Sequence, residues 1–507
     1  MTVDVKRNED QRPVLHFTPQ KGFMNDPNGL VYSNGIWHLY YQLDDRSLVA
    51  GHPEWGHATS NDLLSWRWHK KAIMAPSDHE AIWSGCCVVD RNNTSGQFDE
   101  SASPDDRIVA IFTIHTQGHQ TQNVALSSDG GYTFTQYKHN PVLDIGWAHF
   151  RDPKVLWHEP SNQWVMVVAK CHQFKVGFYG SPDLIHWHHL SDFEGSGVRG
   201  YQYEMPNLVQ VPWDNDSDRK RWVLFLSIGP GAPLGGSFTQ YFLGDFDGTT
   251  FTSSDNYLRT ADLGKDWYAA QTWFDSPDGA VYGIGWASNW QYCNRVPAER
   301  YRSAMSLPRK FTVREVSLNV ATKSLSLISR PIDLDNARLH TDETAMVYTN
   351  GSAKDYPSIQ VIYERRLQSG SGAFEFKLKI RSGTPAARVS VDIANRSGHS
   401  IGLNFLVEVE GMFVSLDRGG TRTGSSWDHP LFDDKVCMWV PNTQSVYDVH
   451  VILDAFVCEL FAIDGAYAFT NTFFLQGGVV STFTVSQDAP ITEVFDVYEL
   501  CSLAPAK

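Results

Sequence analysis

Ser60-Asn61-Asp62-Leu63-Leu64-Ser65-Trp66 is a polar turn closed by an aromatic residue, and the chain repeats it. Ser127-Ser128-Asp129-Gly130-Gly131-Tyr132-Thr133-Phe134 echoes it, as does Ser181-Pro182-Asp183-Leu184-Ile185-His186-Trp187. Gly244-Asp245-Phe246-Asp247-Gly248-Thr249-Thr250-Phe251 is a fainter copy, and the closing aromatics stand 68, 53 and 64 residues apart. β-rich runs fill the intervals: Leu30-Val31-Tyr32 and Ile36-Trp37-His38-Leu39-Tyr40-Tyr41 flank the turn Ser33-Asn34-Gly35 and read as a hairpin. A period of this size made of short strands is the mark of a β-propeller with four-stranded blades. Counting a last unit over residues 267–313, the sequence predicts five blades.

The first strand of each blade lines the central channel, so residues entering those strands converge there. They are Asp26, Trp83-Ser84, Arg151-Asp152, Tyr203-Glu204 and, in the fifth unit, Asp266-Trp267. Asp26 lies in Phe23-Met24-Asn25-Asp26-Pro27-Asn28-Gly29-Leu30, where Pro27 disfavours helix at Asp26 and Gly29 permits a positive φ. Glu204, between Tyr203 and Met205, has a setting that disfavours charge and suits a proton donor. Asp26 is then the ionised partner, and two such carboxylates about 5–5.5 Å apart make a retaining glycosidase. Asp152 follows Arg151, whose guanidinium is expected to keep it ionised and fit to hold sugar hydroxyls.

Blade-like patterning ends after Ser306-Leu307-Pro308-Arg309, and strict alternation begins in Ala373-Phe374-Glu375-Phe376-Lys377-Leu378-Lys379-Ile380. Similar runs at 358–363, 387–393, 405–409, 449–453, 457–463 and 480–485 argue a two-sheet sandwich. The expected protein is all-β, a five-bladed β-propeller over 1–335 followed by a β-sandwich over 336–507. Its composition, 42% hydrophobic and 20% charged, is that of a globular protein, and 13% aromatic residues suit both strands and sugar binding. With 57 acidic against 42 basic residues the net charge is −15, which disfavours nucleic acid and anionic membranes and favours a neutral substrate. No run is long and apolar enough for a bilayer, and Met1-Thr2-Val3-Asp4-Val5-Lys6-Arg7 lacks the apolar core of a secretory leader. With an odd count of seven cysteines, these features predict a cytoplasmic protein; the alternative is a secreted one whose leader has been removed. N-x-Ser/Thr triplets at Asn92, Asn93, Asn215, Asn350 and Asn395 favour the alternative.

Asn25-Asp26-Pro27-Asn28-Gly29, Arg151-Asp152-Pro153 and Glu204 in a Glu-x-Pro setting, in this order, resemble the three signature blocks of glycoside hydrolase family 32, the invertases, inulinases and fructosyltransferases. The resemblance extends through His16-Phe17-Thr18-Pro19, Trp55-Gly56-His57-Ala58, Trp83-Ser84-Gly85, Gly285-Trp286, Asn289-Trp290-Gln291-Tyr292 and Ser306-Leu307-Pro308-Arg309. In the second half, Asp417-Arg418, Val451-Ile452-Leu453-Asp454, Glu459-Leu460-Phe461 and Asp464-Gly465 carry it. It implies transfer of a β-fructofuranosyl unit with retention, Asp26 as nucleophile, Glu204 as acid/base and Asp152 as transition-state stabiliser. It further implies a fructose-holding set of Asn25, Gln42, Trp55, Trp83, Ser84 and Arg151, a saccharide substrate such as sucrose or a fructo-oligosaccharide, and no metal or organic cofactor. Hydrolysis and fructosyl transfer share the intermediate, and both stay open; a non-catalytic sugar-binding propeller would have lost a carboxylate. The sandwich is a candidate homodimer surface. The chain departs from the family pattern at Phe23 (usually Trp), Met205 (usually Cys) and Tyr41-Gln42-Leu43-Asp44-Asp45 (usually Phe-Gln-Tyr-Asn-Pro), which places Asp44 and Asp45 near the rim where an acceptor enters.

Overall fold

The computed structural model describes residues 12–319, 321–339, 352–353, 356–382, 386–421, 429–441 and 444–502. The segment from Met1 to Arg7 and the residue Asn350 lie outside these residues.

Four successive four-stranded antiparallel sheets open the chain. They are β1 (Gly22–Ser33) to β4 (Arg67–Trp68) through β2 (Ile36–Asp44) and β3 (Glu54–Ser60); β5 (Ala81–Val89), β6 (Ile108–Thr116), β7 (His119–Ser127) and β8 (Thr135–Gln136); β9 (Phe150–His158), β10 (Gln163–Lys170), β11 (Lys175–Ser181) and β12 (His188–Phe193); and β13 (Tyr203–Trp213), β14 (Asp216–Ile228), β15 (Phe238–Phe246) and β16 (Phe251–Ser253). A fifth sheet pairs β17 (Tyr268–Thr272), β18 (Val281–Trp286), β20 (Arg309–Ser317) and β21 (Lys323–Pro331) in that order, while β19 (Tyr301–Arg302) runs parallel to β1. The inner strands β1, β5, β9, β13 and β17 touch in sequence, and β17 returns to β1, so the sheets close a ring. Backbone bonds from Phe274 N to Leu30 O (2.8 Å) and from Tyr32 N to Phe274 O (3.0 Å) fasten the closure. Apolar faces of neighbouring sheets pack between the blades; Val165, Phe178, Leu208, Leu226 and Phe242, for example, fill the gap between the third and fourth.

The repeated turn has one geometry. Asp62 Oδ1 accepts from the backbone N–H of Leu64 (2.9 Å) and Ser65 (2.7 Å). Asp183 does the same for Ile185 and His186 and Asp247 for Thr249 and Thr250, while Asp129, in a turn one residue longer, accepts from Tyr132 and Thr133. The residue after each Asp is left-handed: Leu63 (φ 65°), Gly130 (74°), Leu184 (66°) and Gly248 (98°).

The second half forms two sheets. One orders β22 (Arg338–Leu339), β34 (Thr492–Leu500), β25 (Phe374–Arg381), β30 (Val446–Asp454), β31 (Val457–Ala462) and β32 (Tyr467–Thr472). The other orders β23 (Ser352–Ala353), β24 (Tyr356–Arg366), β33 (Val480–Gln487), β26 (Ala387–Asn395), β27 (Ser400–Val407), β28 (Gly411–Asp417) and β29 (Lys435–Pro441). Alternating inward residues such as Phe376, Leu378, Val391, Phe405 and Val451 interdigitate in one core, as a sandwich requires. Propeller and sandwich share a second core in which Leu15, Phe17 and Leu307 meet Ile452 and Phe461.

Candidate active site

All five inner strands carry the same irregularity. Against its neighbour each has one extra residue: between Met24 and Pro27 in β1, Ile82 and Gly85 in β5, Arg151 and Lys154 in β9, Glu204 and Asn207 in β13, and Tyr268 and Gln271 in β17. A bulge re-aims the side chains beside it, and here five bulges aim at one end of the channel. Asp26 and Ser84 occupy the same bulge position, and Ser84 Oγ donates to Asp26 Oδ2 at 2.7 Å. Arg151, Glu204 and Tyr268 occupy another: Arg151 Nη2 donates to Glu204 Oε1 at 2.8 Å, and the Tyr268 hydroxyl donates to Glu204 Oε2. Asp152, left-handed at φ 64°, accepts from Met205 N at 3.0 Å. Gly29 is the turn residue the sequence required: its φ is +55°, and a Cβ there would stand 2.5 Å from the Tyr40 ring.

The result is a cavity of about 250 Å³ lined by Asn25, Asp26, Gln42, Trp83, Ser84, Arg151, Asp152 and Glu204, with Phe23, Asp44 and Trp290 on its walls. Of the predicted site residues, Trp55 alone is missing from this wall. It is fully buried against Tyr40 and Phe112, because β3 turns it into the space between the first two blades; its indole N–H donates to the Trp83 carbonyl at 3.1 Å. Trp55 therefore supports Trp83 from behind. Gln42 is 2% exposed and neither its amide nitrogen nor its oxygen finds a protein partner, leaving both for a ligand.

The electrostatics correct one expectation. Arg151 gives its hydrogen bond to Glu204 at 2.8 Å and meets Asp152 only as a longer ion pair at 3.8 Å, so it does not outweigh the effect of burial on Asp152. Burial pushes the Asp152 carboxyl up, against the opposing effect of Arg151, and the Glu204 and Asp26 charges add to the rise. Burial and the Glu204 charge raise Asp26 to about 6, while the Ser84 hydrogen bond pulls it down. The departing segment is also resolved into parts. Asp44 is buried and accepts from Arg46 N (3.1 Å) and His52 N (2.8 Å), tying the loop that brings Ala50 and Gly51 to the cavity wall. Asp45 turns away to Lys71 at 3.0 Å and Lys21 at 3.2 Å.

Tyr268 is the site residue the sequence reading missed. It stands 64 residues beyond Glu204, within the blade repeat, whereas the sequence pattern points to Asp266-Trp267 in the fifth unit. Asp266 is instead buried against Arg418 at 3.0 Å, facing the sandwich.

The profile of the glycosyl hydrolases family 32 N-terminal domain matches residues 16–325. An extracellular exo-inulinase of Meyerozyma guilliermondii is 42% identical over 478 residues, 92% of this chain and 91% of that protein. An invertase of Wickerhamomyces anomalus is 41% identical, over 93% and 90% of the two chains. The solved β-fructofuranosidase of Schwanniomyces occidentalis complexed with fructosyl-erythritol superposes with a TM-score of 0.87 at 39% identity, covering 99% of both chains. With the carboxylate cluster at the mouth of the ring, these likenesses define a glycoside hydrolase built from a β-propeller and a β-sandwich. The chain belongs to glycoside hydrolase family 32. The expected cytoplasmic location does not stand, since a relative matched over nine-tenths of the chain is named extracellular, which points to secretion. An odd cysteine count and a polar start are weak guides to compartment beside that. Among the described residues no helix is long and apolar enough to cross a membrane.

Proposed function

We propose that the protein is a retaining β-fructofuranosidase that removes terminal β-D-fructofuranosyl units from sucrose and fructo-oligosaccharides. The reading rests on one observation: Asp26 bound to Ser84, and Glu204 bound by Arg151 and Tyr268, face a single cavity that also holds Asp152. In the first step the Asp26 carboxylate attacks the anomeric carbon of fructose while Glu204 gives its proton to the glycosidic oxygen, so the aglycone leaves with a hydroxyl. Asp152 holds fructose hydroxyls as positive charge develops on the ring, and Gln42, Asn25 and Trp83 position the sugar. In the second step Glu204 takes a proton from water, which attacks the fructosyl–Asp26 ester and frees the carboxylate. Chemistry of this kind fits the names of the relatives, invertase and exo-inulinase. In this reading residues 1–335 are the catalytic module and 336–507 the sandwich module.

Incubation with sucrose tests it. Glucose and fructose released in equal amounts mark hydrolysis, and glucose in excess over fructose marks transfer to sugar by the same intermediate. Asp26→Asn should lower kcat by about 10⁴ or more with the protein still folded. A variant of near wild-type rate would remove Asp26 from the nucleophile's place.

A further inference from the structure

Trp83 walls the active-site cavity while only half-buried, so core packing alone does not fix its indole. Trp55 holds its carbonyl; the ring is held by His115. The His115 imidazole lies flat on the indole, with ring centroids 4.1 Å apart and planes 16° from parallel. Arg151 Cζ stands 5.4 Å from the centroid of the same indole. His115 is near the end of β6, directly opposite Ala81 of β5 on one side and Gln120 of β7 on the other. Cross-strand partners share a face of the sheet, so His115 and Gln120 meet side by side.

Gln120 decides which form of the imidazole fits. Its side chain is buried, and its Oε1 accepts from the backbone N–H of Phe150 at 2.8 Å and from Arg151 Nη1 at 3.4 Å. Both of those groups can only donate, so the amide oxygen is on their side and Nε2 faces His115 Nδ1 at 3.3 Å. Nδ1 must therefore accept, which makes His115 neutral with its proton on Nε2. A second proton on Nδ1 would set donor against donor. Turning the Gln120 amide round would cure that clash only by facing its NH2 to Phe150 and Arg151. The charges nearby act in the same direction. The side chains that His115 meets on β5 and β7, Trp83 and Gln120, are uncharged, while Arg151 and His149 face it from the start of β9 and the residue before it; His149 in turn packs on His172 at 3.7 Å between centroids. Burial, then Arg151, then His149 hold His115 below the ordinary 6.5.

We propose that His115 is a positioning residue for the fructosyl reaction: as a neutral imidazole it clamps the Trp83 indole at the cavity wall and leaves Gln120 free to hold Arg151, the residue bonded to Glu204. The proposal rests on the fructosidase reading. His115 is absent from the cavity lining and acts through Trp83 and Gln120. When the imidazole is removed, Phe150 and Arg151 still orient the Gln120 amide, so what is freed is the indole, and the loss falls on sugar binding rather than on proton transfer. When the imidazole is protonated it must turn from Gln120, and the stack on Trp83 goes with it.

Sucrose kinetics of the full-length protein at pH 7 give the first test. His115→Ala should raise KM about fivefold, the scale of one lost aromatic contact, with kcat within about twofold of wild type. His115→Phe keeps a flat ring over Trp83 and should hold KM within about twofold. The second test reads the proton. Sucrose binding to the Asp26→Asn protein, in which the nucleophile does not titrate, is measured by calorimetry from pH 7.5 to 4.5 beside the Asp26→Asn, His115→Phe double variant. Every other titrating group is common to the two, and the double variant should be spared about fivefold of the weakening at acid pH, the scale of one hydrogen bond. A KM unchanged in His115→Ala, or raised equally in the alanine and phenylalanine variants, overturns the clamp. Equal pH dependence of the two Asp26→Asn proteins overturns the neutral-imidazole requirement, and should His115→Ala not fold, this comparison decides the proposal. Failure of the wild-type protein to release glucose from sucrose would instead remove the fructosidase reading itself.

Discussion

Ser84 Oγ holds Asp26 at 2.7 Å against two influences that favour the neutral acid, burial and the Glu204 charge. With Asp26 raised to about 6, a nucleophile that must be ionised gains activity as pH rises through 6 and loses it below. Ser84→Ala removes a hydrogen bond to the charged form, a contact worth about 1.5–3 kcal/mol, and so moves the acid limb upward by about one to two pH units. A profile of kcat/KM for sucrose between pH 4 and 8 reads this directly; an unmoved limb would show that Ser84 does not tune Asp26. The residue scale is also where sequence neighbours mislead. Arg151 and Asp152 are adjacent and stay within 3.8 Å, but the guanidinium gives its hydrogen bond to a carboxylate 53 positions on. Trp55 and Trp83 look equivalent as aromatics near motif residues, and only their strands tell them apart: Trp83 sits in the bulge of β5 and walls the cavity, while Trp55, on β3, is its buried support.

Turns and bulges are the repeating elements, and they differ in how they show in sequence. The turn needs an Asp at a fixed place to receive two N–H groups, so it leaves a signature every blade length. Asp62 accepts four bonds in all, from Ser60 Oγ (2.9 Å), Leu64 N (2.9 Å), Ser65 N (2.7 Å) and Ser65 Oγ (3.0 Å). Asp62→Ala should cost about 1–3 kcal/mol, seen as a lower urea midpoint, while kcat on sucrose stays within about twofold because the turn joins outer strands. A loss of kcat with unchanged stability would contradict that assignment. The bulge has no side-chain signature, since its extra residue is Pro153 or Pro206 in two strands and Ala270 in another. That is why four units were legible and the fifth contributed the wrong residues. Its outer strands are separated by the insertion carrying β19, the turn signature is lost, and Tyr268 is set by pairing register alone.

Several blocks that carry the family resemblance lie away from the cavity, and the whole molecule explains them: they weld the two modules. Arg309, fully buried, donates to Asp262 Oδ2 at 2.8 Å and to Glu459 Oε2 at 2.6 Å. His16 bridges Asp454 at 2.9 Å and Glu459 at 3.0 Å, while Asp454 also accepts from the backbone N–H of Val14, Leu15 and His16. Burial alone would lower the His16 pKa, but the two carboxylates outweigh it and hold it at about 9, above the ordinary 6.5. A group raised on folding contributes stability that is fully present below its unfolded value and is lost as pH rises through its folded value. The His16 contribution is thus greatest below about pH 6.5, and wild-type stability should fall by roughly 3 kcal/mol between pH 6.5 and 9.5 through His16 alone. His16→Gln leaves two buried carboxylates with one cation fewer, so it should start about 3–5 kcal/mol less stable at pH 6. It should also lack the His16 part of the alkaline fall. Urea midpoints of both proteins at pH 6, 7.5, 9 and 10 separate the two effects, because every other titrating group is common to both. Converging stabilities above pH 9 are the expected result, and parallel curves across the range would show that His16 is not the charged partner of Asp454 and Glu459.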